Sequence, residues 1–185
     1  MQLDAEMSFV DQEDVFAVIS HTVASATEAV TGERPTEFPR ITWLEAQERF
    51  GSDKPDTRFG MELVELTPIF EDTEARVFKA PCVKGIRMEG GMEALSRNQV
   101  DALVETCQLW GAKGLAWMKV IDGESGPALD AGVAKFLSAD ESSQVVAALE
   151  AQPGDMVFLV ADERRLVRHV LGLLRLELGR PPVNE

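Results

Sequence analysis

Two carboxylic acids near the start of the chain have a spacing that suits a positively charged group. Asp4 and Glu6 lie in QLDAEMSFV, residues 2–10, where polar and apolar residues alternate at first. A period of two predicts a strand with Gln2, Asp4 and Glu6 on one face. Two carboxylates held close together favour an ammonium group or a metal ion. A strand face exposed to water explains the same pattern.

A second charged stretch, GSDKPDTRFG at residues 51–60, carries two acids and two bases; we call it the connector. Fixed donors such as Lys54 and Arg58 would suit a charged ligand. The alternative is a turn set by Lys-Pro-Asp, with surface ion pairs of little energetic weight. Spacing alone favours the turn.

The remaining reactive residue types form no recognisable site. Neither His21 nor His169 has a Ser or Cys nucleophile within motif distance, so neither is predicted to be catalytic. Cys82 and Cys107 form no CxxC pair, which argues against a zinc site or a disulfide framework. We therefore predict no catalytic residue and no metal ligand from spacing.

Composition restricts the class of protein. Hydrophobic residues make up 45% of the 185 residues, enough for a substantial core, and the net charge is −14. Such a charge repels nucleic acid unless basic groups cluster locally. No apolar run approaches the roughly 20 residues of a membrane helix, and the first residues lack a basic signal-peptide region. These features predict a globular cytoplasmic protein without membrane contact.

Capping residues and helical periodicity predict five helices, and apolar runs predict strands. The helices begin after Asp11, Thr42, Ser96, Ser138 and Asp162. The strands, besides residues 2–10, are ELVEL, ARVFKA, VKGIRM, GLAWMKVI and MVFLV, the last being central because it is apolar throughout. This irregular alternation predicts an α+β fold with a two-layer domain at residues 71–178. Residues 1–70 do not close a core alone and are interpreted as an incomplete part of a larger sheet.

One long stretch resembles a known family. PRITWLEAQERFGSDKPDTRFGMEL, residues 39–63, resembles a segment of bacterial-type aspartyl-tRNA synthetases that contains DKPD and RFG. QLDAEMSFV is similar to the second strand of motif 2 in these class II enzymes. LSRNQVDAL, GAKGLAWMKV, GPALDAGVAKFLS, GDMVFLVAD and VLGLLRLELG resemble, in that order, their GAD insertion domain. The resemblance covers nearly the whole chain.

The resemblance implies a fold and a function. It implies that residues 1–70 are a partial class II catalytic segment, which forms part of an antiparallel sheet. Residues 71–178 would then form a DCoH-like GAD domain, and residues 179–185 a tail. It also implies a homodimeric aspartate–tRNA ligase that uses ATP and Mg²⁺, with L-aspartate and tRNA as substrates. Gln2, Asp4 and Glu6 match the motif 2 strand, whose polar groups face the ammonium group of the amino acid.

The same resemblance implies that the chain is a fragment. Motifs 1 and 3 and the arginine-bearing first strand of motif 2 have no counterpart in it, so we expect it to be inactive alone and to need no cofactor. The alternative is a stand-alone GAD module that binds tRNA or protein, related to a subunit of the archaeal tRNA-dependent amidotransferase. A basic groove at Lys79, Lys84, Arg87 and Lys113 would favour that alternative.

Overall fold

A computed structural model describes residues 4–124 and 126–181. Backbone contacts divide them into two compact units, one up to Ile41 and one from Thr42 onward. The helices are α1 (Gln12–Thr31), α2 (Trp43–Phe50), α3 (Gly91–Ala94), α4 (Arg97–Leu109), α5 (Ala139–Ala148) and α6 (Arg164–Gly179). The strands are β1 (Val64–Glu65), β2 (Cys82–Met88), β3 (Ala116–Gly123), β4 (Gly126–Asp130) and β5 (Met156–Asp162).

The first unit consists mainly of α1. Its N-terminus is capped as predicted, because the Asp11 side chain accepts hydrogen bonds from the backbone N–H groups of Glu13 and Asp14. The strand predicted at residues 2–10 is absent from the described positions 4–10. A strand needs a neighbour for its backbone hydrogen bonds, and no described segment pairs with this one. Alternation alone was therefore insufficient to form it.

The second unit is built on a five-stranded antiparallel sheet in the order β1-β2-β5-β3-β4. The predicted central position of β5 is confirmed, since Gly85 of β2 and Ala116 of β3 both lie opposite its Leu159. Both faces of β5 are buried. Phe158 faces a cluster formed with α4 and α6, and Leu159 faces a second cluster that includes Val145 of α5.

The predicted α+β class is confirmed, and helices or helical turns pack on both faces of the sheet. Helices α4 and α6 cover one face, while α5 and short helical turns at Thr67–Phe70 and Arg76–Phe78 cover the other. This second cover adds a layer to the predicted two. It follows from the continuous apolar sequence of β5, which leaves neither face suited to water.

Most predicted helix starts agree with the structure. Thr42, Ser96 and Ser138 each accept a hydrogen bond from the backbone N–H group three residues later. The last helix begins one residue later than predicted, with Glu163 at the cap and Asp162 still in β5.

The strand predicted at ARVFKA is wrong. Residues Arg76–Phe78 form a short 3-10 turn there. Phe78 is buried in the core on one face of the sheet, where its ring stacks on Phe70 at 4.4 Å between centroids, so this segment covers the sheet instead of extending it. The second compact unit includes residues on both sides of the domain boundary predicted after residue 70. A compact unit need not coincide with an evolutionary domain, so this boundary stays a prediction.

Candidate functional site

The residues predicted to bind substrate lie in the first unit. Asp4 and Glu6 are exposed and belong to no strand, and Gln2 lies outside the described residues. The structure thus does not place these carboxylates on a sheet face. Their role in binding an ammonium group stays a prediction.

Five charged side chains from α2, β1, β2 and α6 meet in what we call the ion cluster. They are Glu48, Glu65, Lys84, Arg164 and Arg168. Lys84 is only 3% exposed, and its Nζ lies 2.7 Å from Glu48 Oε2 and 3.7 Å from Glu65 Oε2. It also donates to the Glu48 backbone carbonyl at 2.9 Å. Burial of an ammonium group is tolerated when such oxygen atoms replace water.

The two arginines of α6 complete the ion cluster. Arg164 Nη1 lies 2.6 Å from Glu65 Oε2 and 3.0 Å from Glu48 Oε2, and Arg168 Nη1 lies 2.8 Å from Glu48 Oε1. Burial acts to raise the pKa of both carboxyl groups. Hydrogen bonds and the neighbouring cations outweigh burial, so both pKa values lie below the ordinary value. Both carboxyl groups are therefore ionised near neutral pH, and the ion cluster links α2, β1, β2 and α6.

The basic groove that would favour an RNA-binding module is only partly present. Lys84 is buried in the ion cluster, and Arg87 Nε lies 3.7 Å from Asp155 Oδ2. Arg87 also donates to the backbone carbonyl of Glu150. Two of the four predicted basic residues are thus engaged inside the protein.

The other two lysines line a concavity of about 330 Å³ together with Arg76. Its floor is apolar and includes Phe78 and Leu159, and no acidic residue is among its described lining. Lys113 Nζ lies 2.9 Å from Asp162 Oδ2 outside this lining. The side chains of Arg76 and Lys79 form no ion pair with the residues that the structure describes. Arg76 and Lys79 make this concavity suited to an anion.

Two of the four charged residues of the connector, Asp56 and Arg58, pair with each other. Arg58 donates from Nε and Nη2 to the two carboxylate oxygens of Asp56, at 2.9 and 2.7 Å. These hydrogen bonds lower the pKa of Asp56 well below its usual range. Lys54 is exposed, and its backbone N–H donates to Ser52 Oγ. The turn interpretation of this stretch therefore agrees with its geometry.

A buried arginine of α6 holds the connector. Arg175 is 1% exposed, and its Nη2 donates to the backbone carbonyls of Asp56, Phe59 and Gly60 at 2.7, 2.9 and 2.9 Å. Its guanidinium group also lies over the rings of Phe59 and Phe50, at 4.1 and 4.9 Å from their centroids. Burial lowers the pKa of Arg175. The connector backbone thus replaces water around this cation.

Two glycines let the start of the connector approach α6 closely. Gly51 ends α2 with φ of +67°, and a Cβ there would collide with the Arg168 carbonyl oxygen. A Cβ on Gly172 would lie 2.9 Å from the carbonyl oxygen of Phe50 and 3.0 Å from that of Gly51. The contact is therefore one of backbone against backbone.

Sequence reasoning missed the residues that α6 contributes to these contacts. Arg175 follows Leu171 and Leu174 on the buried face of the helix, where a charged residue interrupts the apolar spacing. That interruption was the available signal. The sequence contained no comparable signal for Arg164 and Arg168, because their partners are more than 90 residues away.

Both histidines are exposed and both cysteines are buried. His21 Nδ1 lies 3.3 Å from an Arg34 nitrogen, and His169 is exposed on α6. Both cysteines are free and buried. Burial raises the pKa of the Cys107 thiol to about 12 and also raises that of Cys82. Neither thiol is thus activated as a nucleophile.

The described residues show neither a metal-binding group nor a membrane-spanning helix. No group of three His, Cys, Asp or Glu residues within 4–124 and 126–181 is arranged to hold a metal ion. Among the helices of the same residues, none combines the length and apolar character needed to cross a bilayer.

Comparison with known proteins gave consistent matches. The sequence model of the GAD domain family matches residues 74–171. An aspartate–tRNA ligase of Shouchella clausii is 43% identical over an alignment that covers 97% of this chain and 31% of the relative. One of Halalkalibacterium halodurans is 41% identical, with 97% and 30% covered. An aspartate–tRNA(Asp/Asn) ligase of Anoxybacillus flavithermus is 42% identical, with 97% and 31% covered. The chain thus spans about three tenths of the length of these relatives.

Proposed function

This chain belongs to the GAD domain family, in the form found in bacterial aspartate–tRNA ligases, and we propose that it supports the ligase reaction without carrying its chemistry. The observation behind this proposal is the alignment of 97% of the chain with a ligase at 43% identity. The aligned part includes the connector and the complete GAD match. In the ligase, this part would contribute contacts to the amino acid and fix the local geometry, while the groups that carry out adenylation are supplied by the rest of the enzyme.

The reaction that we propose for the whole enzyme has two steps. L-aspartate reacts with ATP in the presence of Mg²⁺ to give aspartyl-adenylate, and the aspartyl group is then transferred to tRNA. We propose a cytoplasmic homodimer.

We propose that the isolated chain is catalytically incompetent. Adenylation needs fixed cations where charge develops on the phosphates. Most of the arginines described here are paired within the protein, as in the ion cluster and at Arg58 and Arg175. This pairing supports a structural role for these side chains.

We keep residues 1–70 as the segment of the catalytic core and propose that Gln2, Asp4 and Glu6 face the ammonium group of L-aspartate there. In the ligase, Asp4→Asn should raise the KM for aspartate at least about tenfold, because a lost ionic hydrogen bond costs roughly 1.5–3 kcal/mol. The KM for ATP should change little. An unchanged KM for aspartate would remove Asp4 from the site.

A chimeric ligase tests the proposed function. The corresponding segment of the Shouchella clausii enzyme would be replaced by this chain, and aspartylation of tRNA would be measured. We expect a kcat/KM within about tenfold of the native enzyme, since the identity of 43% leaves the contacts of the segment mostly intact. A folded, dimeric chimera without aspartylation would contradict the proposal.

The concavity lined by Arg76, Lys79 and Lys113 favours a second candidate, an RNA-binding module. Binding of tRNA by the isolated chain should then weaken steeply with salt. It should also fall at least about threefold in Lys79→Gln, since each phosphate contact contributes separately. Binding that is absent at low salt would exclude this candidate.

A further inference from the structure

One face of α6 meets α2 and the connector along its whole length. The contacting residues are Arg164, Arg168, Gly172, Arg175 and Gly179, at intervals of four, four, three and four. These intervals place all five on one stripe of the helix. We call this stripe the α6 stripe.

Each member of the α6 stripe contacts the segment at residues 48–60, in an order that follows the chain. The first two pair with Glu48, and Gly172 lies against the Phe50 and Gly51 carbonyls. Arg175 follows, on the carbonyls of residues 56, 59 and 60. A Cβ on Gly179 would lie 2.5 Å from the ring of Phe59. The segment thus runs along the helix from its start to its end.

The guanidinium group of Arg175 is the central contact. It is buried, and within the described residues it donates hydrogen bonds to main-chain carbonyls of the connector. Backbone acceptors fix the path of the chain, whereas a side-chain acceptor would fix only a rotamer. A charged donor also forms stronger hydrogen bonds than a neutral one.

We propose that the α6 stripe is an intramolecular docking surface for the connector and that Arg175 is its positioning residue. The connector and α6 then move together as one rigid part of the unit that contains the GAD domain. A connector that was only a surface turn would exchange its amide hydrogens quickly. A connector docked on the α6 stripe exchanges them more slowly than a connector released from it.

Hydrogen exchange on the full 185-residue chain tests this proposal. In Arg175→Met, the amides of residues 52–54 and 56–60 should exchange roughly tenfold faster or more, because hydrogen bonds to a charged group are lost. The amides of β5 should change much less. Arg165→Met is the matched control, since Arg165 lies on the same helix, is exposed and forms no ion pair with the described residues. It should leave both regions unchanged.

A second variant keeps the test decisive if Arg175→Met does not fold. Gly179→Ala retains Arg175 but places a methyl group against Phe59, so it should release the same amides. The proposal is overturned if connector exchange in the folded variants equals that of Arg165→Met. It is also overturned if β5 and the connector accelerate together, since that describes a general loss of stability.

The consequence for catalysis rests on the proposed function and is measured separately. In the chimeric ligase, Arg175→Met should lower kcat/KM for aspartylation at least about fivefold relative to Arg165→Met, because fewer molecules hold the competent arrangement. If the parent chimera is inactive, the proposed function fails while the exchange experiment still decides on the docking surface. Equal activity of the two variants would show that docking does not serve the reaction.

Discussion

Lys84 shows at the scale of single residues how charge is used inside this protein. Its ammonium group is buried among oxygen atoms of Glu48 and Glu65. The same two carboxylates also form ion pairs with Arg164 and Arg168. Three cations therefore share two carboxylates. The carboxylates are the scarcer component, so their loss should be more damaging than the loss of one cation.

Substitutions in the ion cluster test this asymmetry. Glu48→Gln should lower the free energy of unfolding by about 2–3 kcal/mol, because it leaves three cations around one carboxylate. Lys84→Met should cost only about 1 kcal/mol, because two cations then face two carboxylates and the methionine fills the space. Urea unfolding of both variants measures the difference.

Asp101→Asn serves as the control for these substitutions. Its partner Arg97 is 67% exposed, and exposed pairs contribute about 0.2–1 kcal/mol. Equal losses in the free energy of unfolding for Glu48→Gln and Lys84→Met would contradict the claim that the carboxylates limit the stability of the ion cluster.

At the scale of elements, α6 combines two surfaces. Val167, Val170, Leu171 and Leu174 pack on the sheet, and the α6 stripe contacts α2 and the connector. Gly172 is central to the second surface. Its lack of a side chain allows the approach of Gly51, although glycine weakens the interior of a helix.

Gly172→Ala separates helix propensity from packing. Propensity alone would stabilise the helix by up to about 1 kcal/mol. We expect a net loss of about 1–3 kcal/mol, because the new Cβ meets two carbonyl oxygens of the backbone. Thermal and urea unfolding measure the sign. Gly114→Ala, at a position with open space around it, should change stability by less than about 0.5 kcal/mol.

Local signals predicted elements well where their cause is local. The caps at Asp11, Ser96 and Ser138 marked three helix starts, since a capping hydrogen bond spans only three residues. ARVFKA failed because a strand depends on pairing with a distant strand, which the stretch itself does not encode. Arg175 was missed for a related reason. Its acceptors lie 115 to 119 residues earlier in the chain.

At the scale of the whole molecule, the acidic side chains link stability to pH. The pKa values of Glu48 and Glu65 lie below their ordinary value of 4.5. A depressed pKa adds stability that is complete above the unfolded value and is lost as the pH falls through the folded value. The chain should therefore keep its stability from pH 7 to about 5.5 and lose it steadily below about pH 4.5.

Urea midpoints at a series of pH values check this dependence. The loss below about pH 4.5 should be shallower in Glu48→Gln, since one of the depressed groups is gone. An identical slope in the two proteins would remove Glu48 as a source of the acid sensitivity.

The central claim for the whole molecule is that this chain supports aspartate–tRNA ligase activity without carrying the adenylation chemistry. The most direct test is aspartate-dependent exchange of pyrophosphate into ATP, measured side by side for the isolated chain and for the chimeric ligase. We predict background exchange for the chain and clear exchange for the chimera. Exchange catalysed by the isolated chain, or none from a folded chimera, would contradict the claim.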